Sequence, residues 1–268
     1  MKDSVRIVLA IAWAHMLRTW RMRIQLVNWA VTDALWILLI IYAILAFTDP
    51  SEYGEAVPLA FWSVVAWSLV SSPTWVIGNW VKSYIFLGLM DANEVAGVSH
   101  KLFLALRVLP SVIVSLTIAA IAAPILYTST GIWPATIEDP PLLLASLTAI
   151  VVMAVLYSLS LAWIGLRLEV PGPILDIMNL ALFAGGGVGV DLSLLPHPFR
   201  SIALIIPYSH PAELLRYAAT GNPPYLGLWG EVLASLASIA VLALAELSLY
   251  RLALKHYRSV GPRGVGFT

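Results

Sequence analysis

LLLASLTAIVVMAVLYSLSLAWIGL, residues 142–166, decides the fold. No charged residue interrupts it, and it exceeds the ~20 residues an α-helix needs to cross ~30 Å of hydrocarbon. Segments of the same character occupy 28–47, 59–79, 103–127, 173–192 and 229–251, so six membrane-spanning helices are expected. Gly185, Gly186, Gly187 and Gly189 weaken the second half of 173–192, and Pro110 and Pro124 are expected to kink the third span. Of the 268 residues, 60% are apolar and 11% charged, and mean hydropathy is +0.88. Soluble domains run near half apolar and a quarter charged. A soluble fold of this size has too little interior for so much apolar surface. The chain therefore reads as an all-α integral membrane protein, a single transmembrane domain over 1–268.

Residues 1–27 form a different kind of helix. Val5, Val8, Leu9, Ala12, Trp13, Met16, Leu17, Trp20, Ile24 and Val27 recur in steps of three and four, which makes one apolar stripe. Arg6, His15, Arg18, Arg21 and Arg23 lie mainly off it. A basic amphipathic helix with Trp on its apolar face lies in the plane of the membrane interface; the alternative is a first span that begins early. The connections 48–58 and 128–141 carry acidic residues and no Lys or Arg. Lys82, Lys101, Arg107, Arg167, Arg251, Lys255, Arg258 and Arg263 fall at the opposite ends of the spans. The positive-inside rule then puts both termini in the cytoplasm, with Arg200 and Arg216 as the exceptions on the outer side.

The longest outer segment, 193–228, is broken by Pro196, Pro198, Pro207, Pro211, Pro223 and Pro224. Its apolar run Ile202–Ile206 is too short to span. Pro211 suits the first position of a helix, with His210 or Ser209 as cap. Glu213 then falls in the first turn and Arg216 three residues on, within reach on the same face. Gly221 is a natural stop. The pattern describes a helical hairpin that dips into the membrane and returns. The inner segment 80–102, WVKSYIFLGLMDANEVAGVSHKL, is long for a helix–helix connection. A short helix there could offer apolar side chains to a partner's groove, or the segment could simply lead into the third span.

Together these features resemble the permease subunits of type-2 ABC exporters. The family's outer motif runs roughly Asn-Pro-Leu-Thr-Tyr, three or four residues, then Arg. Here Pro207 and Arg216 match, Ser209 stands for Thr, Glu213 lies where an acidic residue is common, Ile206 replaces Asn and His210 replaces Tyr. The order of pieces also matches along the whole chain: interfacial helix (1–27), two spans (28–79), a cytoplasmic coupling segment (80–102), three spans (103–192), a re-entrant outer hairpin (193–228), then a sixth span and basic tail (229–268). The inner loop departs from the family's Glu-Arg followed by Gly-Thr, with only Asp91, Glu94 and Gly97 in a looser arrangement.

The resemblance implies a multi-pass subunit of the plasma membrane that pairs with a second permease copy and with an ATP-binding-cassette ATPase, in which ATP and Mg are bound. It implies coupling roles for Tyr84, Leu87, Met90, Asp91, Glu94 and Lys101. It gives Pro207, His210, Glu213 and Arg216 to an outer gate. The chain itself has no G-x-x-x-x-G-K-[ST], so no P-loop and no bound cofactor are expected. Gly185–Gly189 reads as helix packing.

Charges inside spans are costly and carry a functional default. Asp33 is expected to pair with Arg21 or Arg23, Asp176 and Asn179 to share one face at the start of the fifth span, and Glu246 to lie near Arg251. The five histidines lack metal-ligand spacing, and no nucleophile motif appears. With no cysteine, disulfides and thiolate chemistry are excluded. Zero net charge makes nucleic acid an unexpected partner. A membrane-embedded lipid-modifying enzyme, an ATP-independent channel or transporter, and a non-transporting anchor are the rival expectations.

Overall fold

The computed structural model describes residues 2–166 and 172–260; for residues 2–4, 78–80, 82, 172–175 and 260 it describes the backbone alone. Arg167, Arg263 and the Lys82 side chain, used above for topology, lie outside that description. The described residues contain helices and no strand. Among the described residues five helical segments are long and apolar enough to cross a membrane, so the chain is an α-helical membrane protein.

Helix α1 (Lys2–Arg21) ends one residue before α2 (Arg23–Leu45). The first span therefore begins at Arg23 rather than 28. Ile11 and His15 dock α1 onto the rest of the chain, whereas Val5, Leu9, Trp13 and Trp20 stay exposed. An apolar face left open beside a basic face is the arrangement an interfacial helix needs. The tether is His15, whose Nε2 donates to the Phe103 carbonyl at 3.0 Å. Burial, reinforced by Arg107 and Arg18, pushes its pKa down to about 4 against the pull of that carbonyl.

A 3-10 turn, Pro50–Glu52, is capped by Asp49, whose side chain accepts from the Ser51 N–H. It leads into α3 (Tyr53–Phe86), which runs unbroken through Pro58 and Pro73. Helix α3 is the hub: α2, α6, α7, α8 and α10 all pack on it. It is also the most buried of the span-length helices, and α11 the least. The seven residues 80–86, expected in the inner loop, are its last two turns. After the left-handed turn at Gly88 come α4 (Leu89–Val95) and α5 (His100–Leu106).

Helix α6 (Val108–Thr130) follows α5 with a break at Arg107, whose N–H reaches back only three residues to Leu104. The Pro110 ring lacks an N–H and crowds the carbonyl four residues earlier, that of Leu106, which accounts for the break there. Pro124 is accommodated inside α6. Asp139 caps α7 (Pro140–Gly165) by accepting from the Leu142 N–H at 3.0 Å. Helix α8 (Gly172–Gly185) is only 14 residues long, about 21 Å at 1.5 Å per residue. The expected helix over 173–192 thus stops at its glycines, and 186–196 is non-helical. Helices α9 (His197–Ala203) and α10 (Ser209–Thr220) precede α11 (Gly227–Val260).

Two large apolar cores result, with a small third one around Leu192, Leu195 and Ala203. One joins α2, α3, α6, α7 and α10 around Ile41, Val65, Ile118, Ile150 and Leu215. The other closes the far end of α3 against α4, α5, α7 and α11 around Tyr84, Met90, Leu104 and Trp163. Small hydroxyls stitch α3 to its neighbours, as in Ser68 to Ser115 at 3.0 Å, where a hydrogen bond substitutes for the missing hydrophobic drive between helices in lipid.

Candidate functional site

After α8 the Gly186 and Gly189 N–H groups donate back to the Leu182 and Phe183 carbonyls at 3.1 and 3.0 Å, but the Gly187 and Val188 carbonyls have no backbone partner among the described residues, and residues 186–189 are buried. Non-helical backbone among apolar helices needs partners from within the protein. Arg216 supplies them: Nη2 donates to the Gly187 carbonyl at 2.8 Å and Nη1 to the Val188 carbonyl at 2.9 Å. Nη1 also lies 3.4 Å from Ser63 Oγ on α3. Nη2 pairs with Glu213 Oε1, the i, i+3 contact expected from the spacing. Glu213 Oε1 accepts in turn from the Leu192 N–H at 3.1 Å, and Oε2 is 3.4 Å from the Tyr225 N–H. Both side chains are almost wholly buried. The planar fork of Arg spans two carbonyls and a carboxylate at once, which a Lys point charge cannot do.

Helix α10 that carries them is buried along nearly its whole length, from Ser209 to Ala219, and packs on α7, α3 and α11. It begins at Ser209, two residues before the expected start at Pro211, and neither Ser209 nor His210 acts as the cap. Gly221 ends it in the left-handed conformation (φ 76°), as its position suggested. Pro207 lies in the turn between α9 and α10. Beside it, Tyr208 is buried and its hydroxyl donates to the Met153 carbonyl at 3.1 Å.

His210, one turn before Glu213 on α10, has partners of its own. Its Nδ1 is 2.7 Å from Glu231 Oε2 on α11, and its Nε2 is 3.2 Å from the Leu204 carbonyl. Glu231 Oε1 accepts from the Leu226 N–H at 3.0 Å. Glu231 is fully buried and was missed in the sequence, although a carboxylate two residues into the expected sixth span was itself the signal. His210, Glu213, Arg216 and Glu231 together tie the break after α8, the turn after α9 and the start of α11 to α10.

The inner segment lies at the other end of α3, about 30 Å from Ser63 at 1.5 Å per residue. Its six candidates divide. Tyr84 and Met90 are core. The Tyr84 hydroxyl bonds His100 Nδ1 at 3.0 Å and accepts from Asn93 at 2.7 Å, and burial pushes its pKa up to about 12. Leu87, Asp91 and Glu94 are exposed, as are Phe86 and Val95. Asp91 accepts from Tyr257 at 2.6 Å, and Glu94 lies 3.4 Å from Arg258. Lys101 reaches inward to Glu246 at 2.7 Å, with Trp163 Nε1 donating to the other carboxylate oxygen at 2.8 Å.

Glu246 therefore pairs with Lys101, not with the neighbouring Arg251. Two other intramembrane expectations also change. Asp33 makes no ion pair with Arg21 or Arg23 among the described residues and stays exposed. It lies ten residues into α2, about 15 Å along the axis from Arg23, beyond a guanidinium's reach. Asp176 is exposed whereas Asn179 is buried, so they do not present one polar face. The Asn179 carbonyl accepts from Trp67 Nε1 at 3.2 Å, and its side-chain amide has no partner among the described residues. No group of three His, Asp or Glu with the makings of a metal site occurs among the described residues.

No family model matches the chain, and no curated protein matches it.

Proposed function

We propose that this chain is the transmembrane permease subunit of a type-2 ABC exporter in the plasma membrane. Two copies, or one copy and a close relative, enclose the pathway, and a separate ATP-binding-cassette subunit binds ATP and Mg and supplies the energy. The observation that carries this proposal is the polar lock of Glu213 and Arg216 on the broken chain after α8. It sits at the opposite end of α3 from a short helix with exposed Phe86, Leu87, Glu94 and Val95 around it. One rigid element thus spans the distance between a partner-facing end and a hairpin end.

In this account α8 and the buried segment after it make the fifth crossing in chain order, which brings the number of crossings to six, since irregular backbone is tolerated at membrane depth when protein surrounds it. Helices α9 and α10 are the re-entrant outer hairpin. The exposed carboxylate of Asp33 supports a second copy or an aqueous pathway against α2, because a charge facing hydrocarbon costs several kcal/mol. On the cytoplasmic side, Leu87 and Glu94 contact the ATPase. Tyr84, Met90, Asp91 and Lys101 position the loop through the core, Tyr257 and Glu246. Membrane lipid surrounds the assembly.

The test is reconstitution of the permease with its ATPase in proteoliposomes. Leu87→Ala combined with Glu94→Ala is expected to abolish transport-stimulated ATP hydrolysis while the chain still folds and dimerises. Hydrolysis at the parental rate would remove the coupling role.

A further inference from the structure

We propose that α1 is a docking surface for anionic phospholipid, held by its basic edge on the headgroups of the leaflet in which it lies. The inference stands on the geometry of this helix and does not rest on the chain's being an exporter.

Successive residues of an α-helix are about 100° apart, which sorts α1 into faces. Ile11 and His15, four residues apart and both buried, mark the side packed on the protein. Leu9, Trp13, Leu17 and Trp20 follow in steps of four, four and three, so they share a stripe about 80° wide that centres almost opposite the packed side. All four are exposed. Arg18 and Arg21 fall between these two faces on one edge, and both are exposed. The other edge holds Ala12, Met16 and Thr19, none of them charged. Around the axis the helix thus presents protein contact, basic edge, aromatic stripe and neutral edge.

That asymmetry sets the roll of the helix in a membrane. The aromatic stripe meets the acyl boundary, where Trp is favoured, and the one basic edge turns towards the headgroups. Helix α1 is held at that depth because α2, the first span-length helix, begins at Arg23, one residue after α1 ends. His15 secures the packed side: Nε2 lies 3.0 Å from the Phe103 carbonyl, and the two rings meet edge-on at 4.7 Å. Charge then selects the lipid. Residues 1–27 carry Lys2, Arg6, Arg18, Arg21 and Arg23 against the single acid Asp3. A negative leaflet complements that excess, and a zwitterionic one does not. Arg6 lies within the stripe, where its long stem lets the guanidinium reach back to the headgroups. Each Lys or Arg near an anionic leaflet strengthens association about fivefold.

The chain has no cysteine, so a single thiol places a fluorophore at a chosen point. Ala10→Cys, exposed between the stripe and Arg21, reports on α1. Leu236→Cys, exposed on α11, is the reference. The full labelled chain is placed in phosphatidylcholine nanodiscs with the same small share of nitroxide-bearing lipid, either phosphatidylglycerol or phosphatidylcholine. The ratio of the two quenching constants is expected to be about fivefold in favour of phosphatidylglycerol at Ala10→Cys, the weight of one Arg–headgroup contact, and near unity at Leu236→Cys. Replacing Arg18, Arg21 and Arg23 together by Gln is expected to bring the α1 ratio to unity. Replacing the same three by Lys keeps the charge and should keep the ratio, and added salt should lower it. Millimolar inorganic phosphate at constant ionic strength, which shares the anion but not the acyl chains, should leave it unchanged. A ratio near unity in the parental chain, one that survives the Gln variant, or one lost in the Lys variant or to phosphate would overturn the proposal. Quenching by neither lipid, the result of a second copy or another protein covering the stripe, would overturn it too.

Discussion

Replacing Arg216 with methionine keeps most of the side-chain volume and removes the guanidinium. Four consequences follow from the geometry. Glu213 becomes a buried carboxylate without its counter-charge, the Gly187 and Val188 carbonyls lose their donors, and Ser63 loses a contact. Breaking one side of a buried ion pair costs about 3–5 kcal/mol, because the other charge stays uncompensated. Arg216→Lys keeps the charge and gives up the fork, so its cost is one or two hydrogen bonds, about 1–3 kcal/mol. Arg216→Met with Glu213→Gln leaves no charge behind, and Gln still accepts from the Leu192 N–H. The double variant is therefore expected to be more stable than Arg216→Met alone. Denaturant titration of the detergent-solubilised chain, followed by its eleven tryptophans, measures all three. A change within about 0.5 kcal/mol for Arg216→Met, typical of unremarkable surface sites, would refute the reasoning. So would a double variant less stable than the single.

Three further outcomes are expected. Gly187 has φ 70°, and a Cβ there would lie 2.8 Å from Leu192 and 2.9 Å from Ser209. Gly187→Ala should cost clearly more than Gly88→Ala, where φ is 66° but nothing lies near and only the left-handed strain of about 1–2 kcal/mol applies; equal costs would contradict the packing. His15 is pushed down to about 4 in the docked state from an ordinary value near 6.5. A depressed histidine favours docking fully above about 6.5 and loses it as pH falls towards 4. Amide exchange in α1 should therefore rise, after correction for intrinsic rates, on acidification, and a rise on alkalinisation instead would reverse the sign. Lys101→Met strands Glu246 with Trp163 as its remaining donor, and should lose about 2–4 kcal/mol, partly regained by adding Glu246→Gln. No recovery in the double variant would show that the Lys101 ammonium over the Tyr250 ring, 4.2 Å from its centroid, matters more than the pairing with Glu246.

The features legible in the sequence were those fixed by local spacing. Uncharged runs long enough to cross the bilayer gave the membrane class and most helix positions. The step from Glu213 to Arg216 gave their contact, and Gly221 gave the end of α10. Features set by distant partners were not legible in this way. His210 meets Glu231 across 21 residues and a turn, and Lys101 meets Glu246 across 145, so neighbours such as Arg251 looked like the natural mates. Helix α3 runs on through Pro73 because α6, α7 and α10 surround it, and tertiary packing overrides a local breaker. The inner loop shrank for the same reason: Tyr84 and Ile85 continue the apolar face of α3 into the second core. The glycines of 185–189 did signal weakness in the fifth span. They did not reveal that Arg216 replaces the missing helical hydrogen bonds.

The central claim, that this chain works with a separate ATPase, is tested most directly by purifying the tagged protein in mild detergent from cells that express its natural partners. Bound chains are identified by mass spectrometry and ATP hydrolysis is measured. The account predicts a P-loop subunit in stoichiometric amount, lost when Phe86, Leu87, Glu94 and Val95 are replaced by alanine in a chain that still folds. A homo-oligomer with no ATPase bound would contradict it.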